Sequence, residues 1–175
     1  EKLREVAGVV VPGGFGNRGI EGKIGVAQYC RENNVPYLGL CLGSQIMAIE
    51  FARNILGVKD ATSEEFDEAQ KSKNHVVHFI PEQRTIRKKG GTMRLGAYPC
   101  VLKENSQVAK IYGKTEISER HRHRYEFNND YRDQFEDAGF LIAGTSPDGH
   151  LVEVVEIPKH TFMIGSPFHP ELVSR

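Results

Sequence analysis

The sequence has no tryptophan, no excess of either charge and no long apolar run. The missing tryptophan excludes nothing about function. Balanced charge, with 23 basic and 23 acidic residues, excludes a global field that would draw the chain to nucleic acid or to an anionic membrane. No stretch approaches the roughly 18 apolar residues of a spanning helix, and no charged-then-apolar leader opens the chain. Cysteine is scarce too: Cys30, Cys41 and Cys100 are odd in number and lack metal-ligand spacing. That pattern argues against a disulfide framework and fits a reducing, cytoplasmic setting.

What is present reads as one domain over 1–175, a length that can bury a substantial core. Val6 to Val11 is a β-branched run expected of a central strand covered on both faces. A turn-rich loop, Pro12-Gly13-Gly14-Phe15-Gly16, follows it. Glu21 to Asn33 reads as an amphipathic helix, Val35 to Leu40 as a strand, and Gly43 to Leu56 as a second helix stopped at Gly57. This order predicts a doubly wound, mostly parallel α/β sheet flanked by helices. Further strands are expected at His75–Ile80, Ala97–Leu102, Glu119–Phe127, Phe140–Ala143, Leu151–Ile157 and Phe162–Gly165. Asn129 to Ala138 reads as a helix, and Pro81 to Leu95, charged and glycine-rich, as a mobile surface loop. The chain enters its first strand almost at once and stops four residues past Glu171. An N-terminally truncated piece of a longer polypeptide is therefore expected.

Chemistry concentrates at Gly39-Leu40-Cys41-Leu42-Gly43. A nucleophile between small residues, after a strand and before a helix, is how a sharp elbow presents a reactive side chain. The helix N-terminus favours the thiolate, and the glycines permit the turn. A lone cysteine there is more commonly buried and structural. His169-Pro170-Glu171 shifts that balance, because residues two apart on extended backbone share a side. Glu171 can orient His169, and His169 can take the Cys41 proton and return it to a leaving amine. The backbone N–H of Leu42 and one from the 12–16 loop are candidate oxyanion donors. That loop lacks the spacing of a phosphate cradle.

These three motifs resemble the signatures of class I, triad-type glutamine amidotransferase domains, and the similarity runs over nearly the whole chain. It implies a flavodoxin-like fold and a Cys41–His169–Glu171 triad that hydrolyses L-glutamine through a glutamyl thioester. It places the glutamine and its oxyanion on Gly14, Leu42, Gly43, Ser44 and Gln45. By correspondence Glu65 would hold the substrate ammonium group and Arg124 its carboxylate, a division that suits an amino acid's two charged ends. Within the class, Arg18-Gly19-x-Glu21-Gly22-Lys23, Gly90 to Gly96 and Glu119 to Glu126 resemble members whose ammonia aminates UTP to CTP. For those members the resemblance implies a separate synthetase domain of the same polypeptide, with ATP, UTP and Mg²⁺ sites that this chain lacks. It also implies a homotetrameric full-length protein and GTP as an allosteric activator, felt at Arg18, Gly19 and Glu21, with the 90–96 loop sharing that surface. No cofactor or metal is expected in this chain, and the isolated chain is expected to be a poor or unregulated glutaminase.

Other features carry less. Arg120 to Arg124 is short for a nucleic-acid patch. His75 and His78 fall on opposite faces of a strand. Cys30 reads as the packed face of a helix, and Cys100 has no visible partner. Pro167 stands where relatives often carry glutamine, and its missing N–H can alter pairing of the last strand. A different amidotransferase, a free-standing cysteine hydrolase and a silent regulatory module remain as other readings. Gln45, Glu65 and Arg124 argue against a generic hydrolase, and the intact triad argues against a silent module.

Overall fold

The computed structural model of the chain describes residues 2–67, 69–79 and 93–172. Its elements run β1 (Val9–Val11), α1 (Ile20–Asn33), β2 (Tyr37–Leu40), α2 (Leu42–Asn54), β3 (Thr62–Ser63), β4 (His75–Phe79) and β5 (Arg94–Leu102). They continue with α3 (Gln107–Tyr112), β6 (Glu116–His123), β7 (Tyr125–Phe127), α4 (Arg132–Asp137), β8 (Leu141–Thr145), β9 (Val152–Glu156) and β10 (Met163–Ser166). Seven strands form one sheet in the order β1-β2-β10-β9-β8-β5-β6, and β3-β4-β7 form a small second sheet.

The α/β expectation holds, but in the seven-stranded sheet parallel pairing is confined to β1, β2 and β10, and in the small sheet to β3 and β4. Pairs β10–β9, β9–β8, β8–β5 and β5–β6 are antiparallel. Connection length explains the direction of the β1–β2, β8–β9 and β9–β10 pairs. The helix α1 between β1 and β2 is a crossover long enough to return the chain in parallel, whereas the turn at Ser146–Gly149 and the short 157–162 link can only reverse it.

The sheet is covered on both faces because successive strand residues alternate. Tyr37 and Met163 join Ile24, Ala27, Ile46 and Met47 of α1 and α2 in one buried cluster. Their neighbours Leu38 and Ile164 join Val108 and Ala109 of α3 in the other. The helix α1 ends where expected, with Asn34 in the left-handed region at φ 54°. The short helix α3, capped by Ser106 Oγ accepting from Ala109 N–H, is not expected from the pattern.

Among the described residues, Val9–Val11 of the opening run pairs with β2, and Val10 is 59% exposed. Two expectations need correction. The single strand expected over Glu119–Phe127 breaks at Arg124, with β6 pairing β5 and β7 pairing β4. Arg94 and Leu95 belong to β5, not to a loop. Of that expected loop, residues 81–92, with Gly90, Gly91 and Thr92 among them, lie outside the described residues.

Candidate active site

Cys41 caps α2 with φ 50° and ψ −103°, a conformation that a residue with a Cβ adopts only under strain. The surroundings hold it there. Its N–H donates to the Ser166 carbonyl at 2.7 Å, and its own carbonyl accepts from Ser44 and Gln45 N–H. The neighbouring glycines are needed for close approach. A Cβ at Gly39 would stand 2.6 Å from the Gly43 carbonyl, and one at Gly43 would sit on the Val11 carbonyl oxygen. Tyr37, fully buried, donates its hydroxyl to the Gly43 carbonyl at 2.8 Å and so locks strand to helix.

The C-terminal motif comes to the same place. His169 N–H donates to the Arg120 carbonyl at 2.8 Å, which anchors the segment on β6. His169 Nδ1 lies 2.6 Å from Glu171 Oε1, so the carboxylate fixes the ring. A Cβ at Gly13 would fall 2.9 Å from His169 Cε1 and 3.4 Å from Cys41 Cβ. The His169 ring and the Cys41 side chain therefore both border a glycine whose missing side chain leaves room for them.

The Cys41 side chain is buried, and its pKa is pushed up to about 11, mainly by desolvation. Glu65, Glu171 and Glu126 push it the same way, while a backbone hydrogen bond from Leu42 pulls it down. The helix terminus thus does not win here: the resting group is a thiol, and a base must take its proton before it can attack.

A cavity of about 180 Å³ is lined by Gly14, Phe15, Cys41, Gln45, Glu65, His123, Arg124 and Tyr125. Glu65 Oε1 accepts from the Gly16 N–H at 2.8 Å, which draws the 12–16 loop over the cavity. Burial raises the Glu65 pKa, opposed by that hydrogen bond and by Arg124. Arg124 reaches the cavity because it is the joint at which the chain leaves one sheet for the other. Among the described residues, Arg124 Nε and Gln45 Oε1 are buried without a hydrogen-bond partner.

Of the expected residues, Cys41, Gly14, Gln45, Glu65 and Arg124 thus share one cavity wall, with His169 and Glu171 beside the thiol. Leu42, Gly43 and Ser44 form the elbow behind it. Arg18, Gly19 and Glu21 do not line this cavity. Gly19 opens α1 at φ 71°, and Glu21 is tied to Arg53 Nη1 at 2.8 Å. Arg94, assigned to an activator surface in the sequence, is instead buried against Glu153 at 2.6 Å. Strand β10 ends at Ser166, directly before Pro167, as its missing donor requires. Sequence reasoning missed Phe15, His123 and Tyr125 as cavity residues; the alternation of His121 and His123 with Arg120, Arg122 and Arg124 was the available signal for His123.

The family described as glutamine amidotransferase class-I matches residues 1–175. The chain belongs to that family. Its sequence is 56% identical to CTP synthase of Dehalococcoides mccartyi and 55% identical to that of Staphylococcus aureus, over the whole chain in both cases. It spans about a third (32%) of the length of these curated relatives. Among solved structures, the Trypanosoma brucei CTPS glutaminase domain with bound acivicin is 41% identical with a TM-score of 0.91, over 99% of this chain and 67% of that one. A glutamine amidotransferase from Thermotoga maritima shares the fold alone, at 17% identity and a TM-score of 0.60 over 97% of this chain and 58% of that one. Among the described residues, no helix is long and apolar enough to cross a membrane.

Proposed function

We propose that this amidotransferase chain is the glutaminase domain of a CTP synthase, working through a Cys41–His169–Glu171 triad. The observation that carries the reading is that Cys41, Glu65 and Arg124 line one cavity, which so holds one nucleophile, one acidic and one basic side chain. Glutamine entering it sets its ammonium group on Glu65 and its carboxylate on Arg124, whose free Nε supplies a donor. The side-chain amide then lies over Cys41.

His169 takes the Cys41 proton as sulfur attacks the amide carbon. The oxyanion that forms is received by the backbone N–H groups of Leu42 and Gly14. His169 gives the proton to the departing nitrogen, ammonia leaves, and a glutamyl thioester remains. A water molecule then loses its proton to His169 and attacks the thioester. The same proton returns to sulfur as glutamate departs. Because the thiol is protonated at rest, water in an empty site meets no standing thiolate.

Released ammonia serves the amination of UTP to CTP in a synthetase domain outside this chain, which would also hold ATP and Mg²⁺. Arg18, Gly19 and Glu21 are proposed as part of the surface through which GTP activates the domain. The Glu21–Arg53 pair supports this, because it links the start of α1 to the nucleophile-bearing α2. The test is ammonia release from glutamine by this chain, alone and with its synthetase partner, with and without GTP. Slow, GTP-insensitive turnover by the chain alone is expected, abolished by Cys41→Ala. Rapid turnover retained by Cys41→Ala would refute the reading.

A further inference from the structure

The Glu65 carboxylate has two oxygens, and the structure engages one of them. Oε1 accepts from the Gly16 N–H at 2.8 Å, while Oε2 has no hydrogen bond among the described residues. The bond joins the turn after β3 to the loop after β1, 49 positions apart in the sequence. Among the described residues, no other hydrogen bond ties residues 12–16 to the body of the fold.

On the Glu65 side the anchor is firm. Ser63 is fully buried in β3, and its Oγ accepts from the Glu65 N–H at 3.2 Å. Glu64 N–H donates to the Val77 carbonyl of β4, and Phe66 N–H to the Ser63 carbonyl, both at 3.0 Å. The carboxylate thus stands on a turn fastened to the small sheet. The loop side has little of its own. Val11 pairs in β1, but Pro12 has no N–H to give, and the two glycines after it are the residues with most backbone freedom to lose. Gly14 nevertheless lies against the elbow, where a Cβ would stand 3.1 Å from Leu42 Cδ2.

We propose that Glu65 is a positioning residue for the oxyanion hole: its Oε1 fixes the 12–16 loop at Gly16 and so sets the Gly14 N–H beside the Leu42 N–H, while Oε2 takes the substrate ammonium. The role in the reaction rests on the glutaminase reading; the tether at Gly16 does not. An ionised carboxylate accepts at both oxygens at once, so the loop bond and ammonium binding do not compete. A bond from a backbone N–H to a carboxylate is also of the stronger, charge-assisted kind. Catalytic donors tolerate displacements of only about 0.5 Å. Gly14 is two residues from the tether, at most about 7 Å of chain, so slack at Gly16 reaches it.

The test separates the loop from the ammonium by using an amide that has no ammonium. Ammonia release is measured for the chain with its synthetase partner, on glutamine and on glutaramate, in which hydrogen replaces the α-amino group. The variants are Glu65→Gln and Glu65→Ala. Both remove the charge, but only Glu65→Gln still offers an oxygen to the Gly16 N–H. On glutaramate, kcat/KM of Glu65→Ala is expected to fall about tenfold or more below that of Glu65→Gln, a part of the roughly 10²–10³ that one oxyanion donor carries. Equal values overturn the proposal, because a residue that only binds ammonium leaves no difference on this substrate.

Amide hydrogen exchange reads the tether without turnover. The Gly16 N–H is expected to exchange more slowly than the Gly13 and Gly14 N–H groups, and to lose that protection in Glu65→Ala. Gly16 exchange unchanged by Glu65→Ala overturns the tether. A protected Gly16 in a protein that releases ammonia from neither substrate would instead overturn the glutaminase reading, and the positioning role with it. Should Glu65→Ala fail to fold, Glu65→Asp keeps the charge but is one methylene short of Gly16. Its kcat on glutamine is then expected below that of Glu65→Gln, and an equal or higher kcat overturns the proposal.

Discussion

A buried thiol held in its neutral form makes a quantitative prediction about Cys41. Its pKa lies at about 11 against an ordinary 9.0. At pH 8 an ordinary cysteine is about 10% thiolate and this one about 0.1%, so alkylation by iodoacetamide should be about 100-fold slower than for an exposed thiol. The rate should climb about tenfold per pH unit and level off only near pH 11. Glu65 contributes to the elevation, so Glu65→Gln should shift the profile to lower pH. The same shift links to stability. A thiol whose folded pKa is raised contributes nothing adverse below pH 9, and the folded state loses ground as pH rises from 9 to 11. The full loss is about 3 kcal/mol, read as the difference in urea-unfolding free energy between this chain and Cys41→Ala. That difference cancels the similar contribution of Cys100, itself pushed up to about 12. Alkylation that levels off below pH 9 would refute the argument and mean that the helix terminus and Leu42 N–H outweigh burial.

The glycine requirement of the elbow is testable by Gly43→Ala, which drives a Cβ into the Val11 carbonyl; urea unfolding should show a loss of about 2 kcal/mol or more. Glu21→Ala breaks an ion pair whose acidic partner is 76% exposed, so the midpoint of unfolding should barely move, and any loss of GTP response would be separable from stability. Glu65→Gln removes the charge set against the substrate ammonium, so KM for glutamine should rise by tenfold or more, on the order expected for an unpaired charge in a partly dry site, with kcat changed less.

The elbow and the two helices around it were legible because their signals are local. Gly39 and Gly43 mark a close approach that the packing confirms, and Asn33-Asn34 marks the end of α1. The gathering of Gly14, Gln45, Glu65 and Arg124 around Cys41 followed from family resemblance, since nothing in the spacing of residues so far apart places them on one cavity. Sheet direction was misread because a strand run looks alike in either orientation. The discriminating sign was the turn at Ser146-Pro147-Asp148-Gly149, too short for a parallel return. Arg94 was misread because a basic residue beside glycines looks solvated, while its partners Glu126 and Glu153 lie far along the chain. The break at Arg124 has no composition signal, since β6 and β7 differ only in which strand they pair.

The central claim is that Cys41 forms an acyl bond to glutamine with His169 as its base. The direct measurement is acid quenching of the chain during turnover of glutamine, followed by mass spectrometry of the peptide that carries Cys41. A glutamyl adduct on Cys41, absent in Cys41→Ala and strongly reduced in His169→Ala, is the predicted result. Ammonia release without any adduct on Cys41, or an adduct formed equally fast in His169→Ala, would contradict it.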